Sequence, residues 1–256
     1  MSELFCGISS VSHESFTTID DNSFEVKLFK IKLSSYHSVI KDLIKYLSRE
    51  ELTHSKRYRF QKEINQYIIC RCLLKFILSQ HTKIPVHNIN IAIDEHKKPY
   101  LVNNRLVSFN LSHSNDYGVI AVGNKFSIGI DIEYINHDFD FSEILKNVYS
   151  CQEIETIYSS KSSIYTFFKY WTRKESIVKA TGLGISDYLK EIPATDGWHN
   201  ISQKISHNLE NLKVCTFNLT ENYIVSLAVN DKKINLEKIP IYNLPSHNKQ
   251  LLAFAL

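Results

Sequence analysis

Asp131 and Glu133 stand in the run Gly129-Ile130-Asp131-Ile132-Glu133, where every other residue is isoleucine or glycine. The run reads as a strand, and side chains two apart on a strand leave from one face. Both carboxylates therefore point the same way, while Ile128, Ile130 and Ile132 face a core. Adjacent carboxylates repel, and leaving them unpaired near a core is costly. A hard divalent cation such as magnesium relieves that cost, and it typically binds one or two carboxylates plus substrate phosphates. The chain must then supply a third anionic or basic partner and a grip on phosphate. Gly129 permits another backbone or a ligand to approach this strand closely.

A third carboxylate stands where helices normally avoid one. Ile164, Phe167, Phe168, Trp171 and Val178 mark the core-facing side of a predicted helix over 162–180, and Glu175 falls among them. An i,i+4 pair with Lys179 contributes only about 0.2–0.5 kcal/mol, too little to offset partial burial. A metal or phosphate nearby would supply the missing compensation. In the run Phe109-Asn110-Leu111-Ser112-His113-Ser114, the Ser-His-Ser segment reads as a polar turn from Ser112 to Asp116, either satisfying local backbone groups or taking part in the site. Glycine-rich phosphate cradles, G-x-S-x-G and H-E-x-x-H are all absent from the sequence. Phosphate must then be held by side chains. The candidates are Lys56, Arg57, Arg59 and Lys62, and Lys97-Lys98 before Pro99; of these, Arg57 and Lys62 read as a solvated face.

The positioning elements follow from periodicity. A strand is predicted over 24–33, then a helix capped by Ser34 with Val39, Ile40, Leu43, Ile44 and Leu47 on one face. Ser48-Arg49-Glu50-Glu51 fits a capping box, and a long helix follows from about 62 to 80. Strands are predicted at 89–93, 107–111, 117–122, 126–133, 212–219 and 223–229. Helices are predicted near 142–160 and 162–180, the second stopped by glycine in Thr181-Gly182-Leu183-Gly184. Phe109-Asn110-Leu111-Ser112 through Val122 is echoed by Phe217-Asn218-Leu219-Thr220 through Val229, the second copy with a shorter turn. This duplicated hairpin implies two similar halves, 1–124 and 125–256.

Composition narrows the class. The 256 residues are 43% hydrophobic and 22% charged, the values of an ordinary globular chain long enough for a sizeable core. A net charge of +3 is too mild to indicate nucleic acid but suits an acidic partner. Five scattered cysteines without C-x-x-C indicate reduced thiols rather than zinc or disulfides. No signal peptide and no apolar run of the ~20 residues that cross a bilayer is present. The expectation is a soluble cytoplasmic protein with no membrane or nucleic-acid partner.

The three motifs in order, F-N-L-S-H-S, G-I-D-I-E and W-T-R-K-E-S-I-V-K-A-T-G, resemble the 4′-phosphopantetheinyl transferases over roughly residues 50–230. The length and two-half layout are similar to the monomeric, surfactin-synthetase-activating type. The resemblance implies an α+β pseudo-dimer whose halves each pack a small, mainly antiparallel sheet with helices, with the active site in the cleft between them. It implies magnesium-dependent transfer of phosphopantetheine from coenzyme A to a serine of an apo acyl or peptidyl carrier protein, releasing 3′,5′-ADP. By motif match, Asp131, Glu133 and Glu175 would hold magnesium and Lys179 would meet the pyrophosphate. Ser112 and His113 would meet the phosphoadenosine end, with Lys56, Arg59, Lys98 and Pro99 as further coenzyme A contacts. Glu175 is also the candidate base. Lys97 stands where the family's G-K-P turn has glycine, and Gln66 where it usually has arginine. The rival expectation is a non-catalytic carrier-protein binding module with the same fold.

Overall fold

The computed structural model describes residues 2–15, 26–183, 188–207, 209–231, 234–246 and 251. Two strands, β1 (Ser2–Ile8) and β2 (Ser10–Ser15), precede the strand expected over 24–33, which is seen as β3 (Val26–Lys32). Phe24 and Glu25 of that expectation lie outside the described residues. The helix expected to start at Ser34 is instead a 3-10 segment from Leu33, a short α1 (Ile40–Leu43) and a 3-10 turn at Ile44–Tyr46. Ser34 does not cap it, because its amide and hydroxyl both bond the Asp116 carboxylate, at 2.8 and 2.7 Å. The Ser48 capping box forms as expected and opens α2 (Arg49–Ser55), followed by α3 (Gln61–Thr82).

A small ladder of β4 (Ile91–Ile93) and β5 (Pro99–Leu101) leads to the hairpin β6 (Val107–Ser114) and β7 (Tyr117–Asn124). Next come β8 (Ile128–Tyr134), α4 (Ser142–Val148), α5 (Cys151–Ser159) and α6 (Ser163–Thr181). The single helix expected near 142–160 is thus two, because the Ser150 hydroxyl accepts from the Glu153 amide and starts a new helix. The C-terminal part holds β9 (Gly197–Ile201), α7 (Gln203–Ser206), β10 (Asn211–Thr220), β11 (Tyr223–Asn230) and β12 (Lys238–Asn243).

The strands form two five-stranded sheets, ordered β8-β11-β10-β1-β9 and β2-β12-β3-β7-β6. Most pairings are antiparallel, but β1 runs parallel to β10, and β12 runs parallel to both β2 and β3. A division at 124/125 is therefore crossed twice. β1 completes the sheet of the later half, and β12 completes that of the earlier half.

The period-two pattern of the strands sorts their side chains into three cores. Val26, Leu28, Val119 and Ala121 meet Ile128, Ile130, Ile132, Val225 and Leu227 between the two sheets. On the outer face of one sheet, Phe29, Ile31 and Phe109 pack on α3. On the outer face of the other, Leu4, Val214 and Ile224 pack on α4, α5 and α6. The order is helix, sheet, sheet, helix.

Both hairpins have two-residue turns, since Ser114 pairs with Tyr117 and Thr220 with Tyr223. The second copy is shorter in its strand arm, not in its turn, and carries a bulge between Asn218 and Thr220. The expectation that Ser112 to Asp116 is a turn is corrected accordingly: Ser112, His113 and Ser114 belong to β6. Asn115, at φ 51°, takes the left-handed conformation that lets Asn115-Asp116 alone reverse the chain.

Candidate active site

β8 lies at the edge of one sheet and β6 at the edge of the other. Isoleucines 128, 130 and 132 of β8 fill the core between the sheets, so Gly129, Asp131 and Glu133 turn to the opposite face, under α6. Gly129 explains how close that helix comes. A Cβ there would lie 2.0 Å from the Ser176 carbonyl oxygen and 2.4 Å from the Ala180 nitrogen. The backbone that the glycine admits is α6 itself, and its approach brings Glu175 and Lys179 onto the carboxylate strand.

Lys179 Nζ donates to Asp131 Oδ1 at 2.6 Å, to Ser112 Oγ at 3.1 Å and to the Ile130 carbonyl at 3.2 Å. Ser112 Oγ donates to the same Asp131 oxygen at 2.9 Å. Asp131 Oδ2 is buried without a hydrogen-bond partner. Burial raises the Asp131 pKa, opposed by the Lys179 charge and by the Lys179 and Ser112 hydrogen bonds. Burial raises that of Glu175 as well, helped by the Asp131 charge and opposed by Lys179. Glu133 is pushed up to about 7 by burial and by Asp131, against hydrogen bonds from Ser114 and Trp171. All three carboxylates are thus strained by their surroundings in the same direction, each better accommodated neutral or beside added positive charge.

Among the described residues, no three His, Cys, Asp or Glu side chains are gathered tightly on one point. Lys179 supplies the positive charge to Asp131 in this arrangement. The donor set nevertheless suits a hard cation: it consists of carboxylate oxygens, and one of them is buried with nothing to bond.

The other expected residues lie on β6, on the β4–β5 hairpin and in the link between α2 and α3. His113 leaves β6 from the face opposite Ser112 and Ser114 and is exposed, whereas the Ser112 hydroxyl is already engaged by Asp131 and Lys179. Lys98 Nζ donates to the Ala180 carbonyl at 2.7 Å, at the C-terminal turn of α6, and burial lowers its pKa to about 8. Lys97 has φ 62°, the left-handed region that favours glycine, at the position where glycine was expected. Pro99 opens β5. Lys56 and Arg59 are exposed in the link between α2 and α3, Arg59 lying over the Phe60 ring. Gln66 bonds the Asn115 carbonyl at 2.8 Å.

Several residues that position the site were not singled out from the sequence. Arg173 is fully buried and bonds Thr216, Ala194, Gly7 and Asp196. Lys174 is equally buried, donating to Glu153 at 3.0 Å and to the carbonyls of Leu189 and Ile192. These two cations fasten the back of α6 while Glu175 and Lys179 serve its front. Their signal in the sequence, charges inside an apolar helix, was shared with Glu175 and did not separate the two roles. His207 ties the end of α6 through the Thr181 carbonyl at 2.9 Å. Beside Glu133, a cavity of about 330 Å³ is walled by Trp171, Phe167, Phe168, Phe139 and Ile144.

Residues 34–125 match the family model described as 4′-phosphopantetheinyl transferase, N-terminal, and residues 127–228 match that of the 4′-phosphopantetheinyl transferase superfamily. The chain is 33% identical over 175 residues to the 4′-phosphopantetheinyl transferase HetI of Nostoc sp., an alignment covering 66% of this chain and 73% of the relative. It is 29% identical to 4′-phosphopantetheinyl transferase psf-1 of Bacillus pumilus, over 66% of this chain and 74% of that one. With 4′-phosphopantetheinyl transferase gsp of Aneurinibacillus migulanus the identity is 31%, over 61% and 63%.

Proposed function

This chain belongs to the 4′-phosphopantetheinyl transferase superfamily, and from that premise we propose that the β8–α6 centre transfers the 4′-phosphopantetheine arm of coenzyme A to a serine of an apo acyl or peptidyl carrier protein. The observation that carries this reading is Asp131. One of its oxygens is held by Lys179 and Ser112, and the other is buried without a partner, beneath a helix that brings Glu175 against the same strand.

In the reaction the carrier serine oxygen bonds to the β-phosphorus of coenzyme A, the bond from that phosphorus to 3′,5′-ADP breaks, and the serine proton passes to a base. Glu175 is that base, directly or through a water, because α6 holds its carboxylate against the strand that carries Asp131 and Glu133. Lys179 sets its ammonium where negative charge develops on the phosphate oxygens. Asp131, Glu133 and Glu175 would hold magnesium, which supplies charge neutralisation at the pyrophosphate. By motif match, His113, Lys98, Pro99, Lys56 and Arg59 would contact coenzyme A, and the apolar cavity beside Glu133 suits the pantetheine arm. The protein acts as a cytoplasmic monomer, with one site in the seam between its halves.

The test is direct. The purified chain is incubated with coenzyme A, Mg²⁺ and an apo carrier protein, and the carrier is weighed by mass spectrometry. A gain of the phosphopantetheine mass that depends on Mg²⁺ is expected. Carrier binding without mass gain would instead establish the rival reading, a binding module on the same fold. Retention of Asp131, Glu133, Glu175 and Lys179 favours the enzyme.

A further inference from the structure

The two sheets meet at β6 and β8 without a backbone ladder between these strands. Side chains take the ladder's place, one at every second residue of β6. Asn110 Oδ1 accepts from the Ile130 amide at 2.8 Å. Ser112 Oγ donates to Asp131 at 2.9 Å. Ser114 Oγ donates to Glu133 Oε2 at 2.9 Å and accepts from the Tyr134 amide at 3.1 Å. The partners advance along β8 in step with β6, so the three rungs hold one register.

A backbone ladder would fix the strand but leave its carboxylates free to choose rotamers. Here the last two rungs end on the carboxylates themselves. Ser114 does both tasks with one hydroxyl: it is anchored by the β8 main chain through the Tyr134 amide and grips the Glu133 side chain one residue earlier. A glutamate held in advance loses less side-chain freedom when it takes up a cation. We propose that Ser114 is a positioning residue that presets the Glu133 carboxylate for the divalent cation. This rests on the metal reading above and extends it to a residue whose hydroxyl is engaged by β8 on both sides.

The test measures metal binding without turnover. Mn²⁺ is titrated onto the protein–coenzyme A complex in the absence of carrier, and free Mn²⁺ is counted by electron paramagnetic resonance. Loss of a hydrogen-bond partner behind a metal ligand weakens binding by about 10- to 100-fold. Ser114→Ala should raise the Mn²⁺ Kd by about 10-fold with coenzyme A held saturating. Ser114→Thr, which keeps the hydroxyl, should restore the wild-type Kd, and Ser114→Cys, similar in size but a poor donor, should follow Ser114→Ala. Wild-type Mn²⁺ affinity in a folded Ala or Cys variant overturns the role of Ser114. Failure of the wild-type protein itself to bind Mn²⁺ would overturn the metal reading and this inference with it.

Discussion

Gly129→Ala should disable the site without touching a charged group. The new Cβ would lie 2.0 Å from Ser176 O, 2.4 Å from Ala180 N and 2.9 Å from Lys179 C, whereas real Cβ contacts essentially never fall under 3.0 Å. All three obstacles are helix backbone, so no rotamer change relieves them. α6 must retreat from β8 by about 1 Å, and overpacking of this kind costs about 1–3 kcal/mol and occasionally more. The retreat also lifts Lys179 from Asp131, now 2.6 Å apart, and a 1 Å misplacement of catalytic groups costs about 10²-fold in rate. Gly118→Ala is the matched control. Its Cβ would meet nothing nearer than 3.5 Å, and its expected cost is under about 1 kcal/mol. Urea unfolding of both variants, with initial rates of carrier modification by mass spectrometry under folded conditions, separates the two. Gly129→Ala with the stability of Gly118→Ala and a near wild-type rate would refute the claim that this contact sets the site.

Glu175→Gln should lower transfer by about 10²-fold or more, the usual contribution of a positioned base, with the melting temperature unchanged or raised because a buried charge is removed; a wild-type rate would refute its role. For Glu133, the folded pKa of about 7 lies above the ordinary 4.5. The folded state therefore binds the extra proton between those values, and the stability it contributes is complete below pH 4.5 and lost as pH rises through about 7. At pH 8 the ionised side chain costs about 3 kcal/mol, so Glu133→Gln in EDTA should be more stable than wild type at pH 8, with the difference shrinking toward pH 5. A difference independent of pH would count against this environment. Lys174→Met strands the buried Glu153 carboxylate, whose Oε2 now accepts from the ammonium, and should destabilise by about 3–5 kcal/mol; urea unfolding showing less than about 1 kcal/mol would deny the pair its anchoring role.

The sequence by itself determined the chemistry. Alternation in Gly129–Glu133 put two carboxylates on one face, helical spacing put Glu175 among apolar residues, and the Ser48 and Gly182 signals bounded helices correctly, Gly182 with φ 77°. These are local facts, fixed by backbone period and capping within a few residues. Gly184, named with the same stop signal, lies outside the described residues. Only the tertiary structure decided which groups meet. That β1 joins the later half's sheet and β12 the earlier half's depends on pairings more than 200 residues apart, as between Glu3 and Asn211, which no local pattern encodes. The buried role of Arg173 and Lys174 could not be told from that of Glu175, because one helix turn carries all three and only the elements around it decide which face meets solvent, core or substrate. The Ser-His-Ser run reads as a turn in the sequence but lies in β6 for a related reason. Its polar residues alternate as on an amphipathic strand, but the partner of that polar face is β8 of the other sheet, visible only once both edges lie side by side.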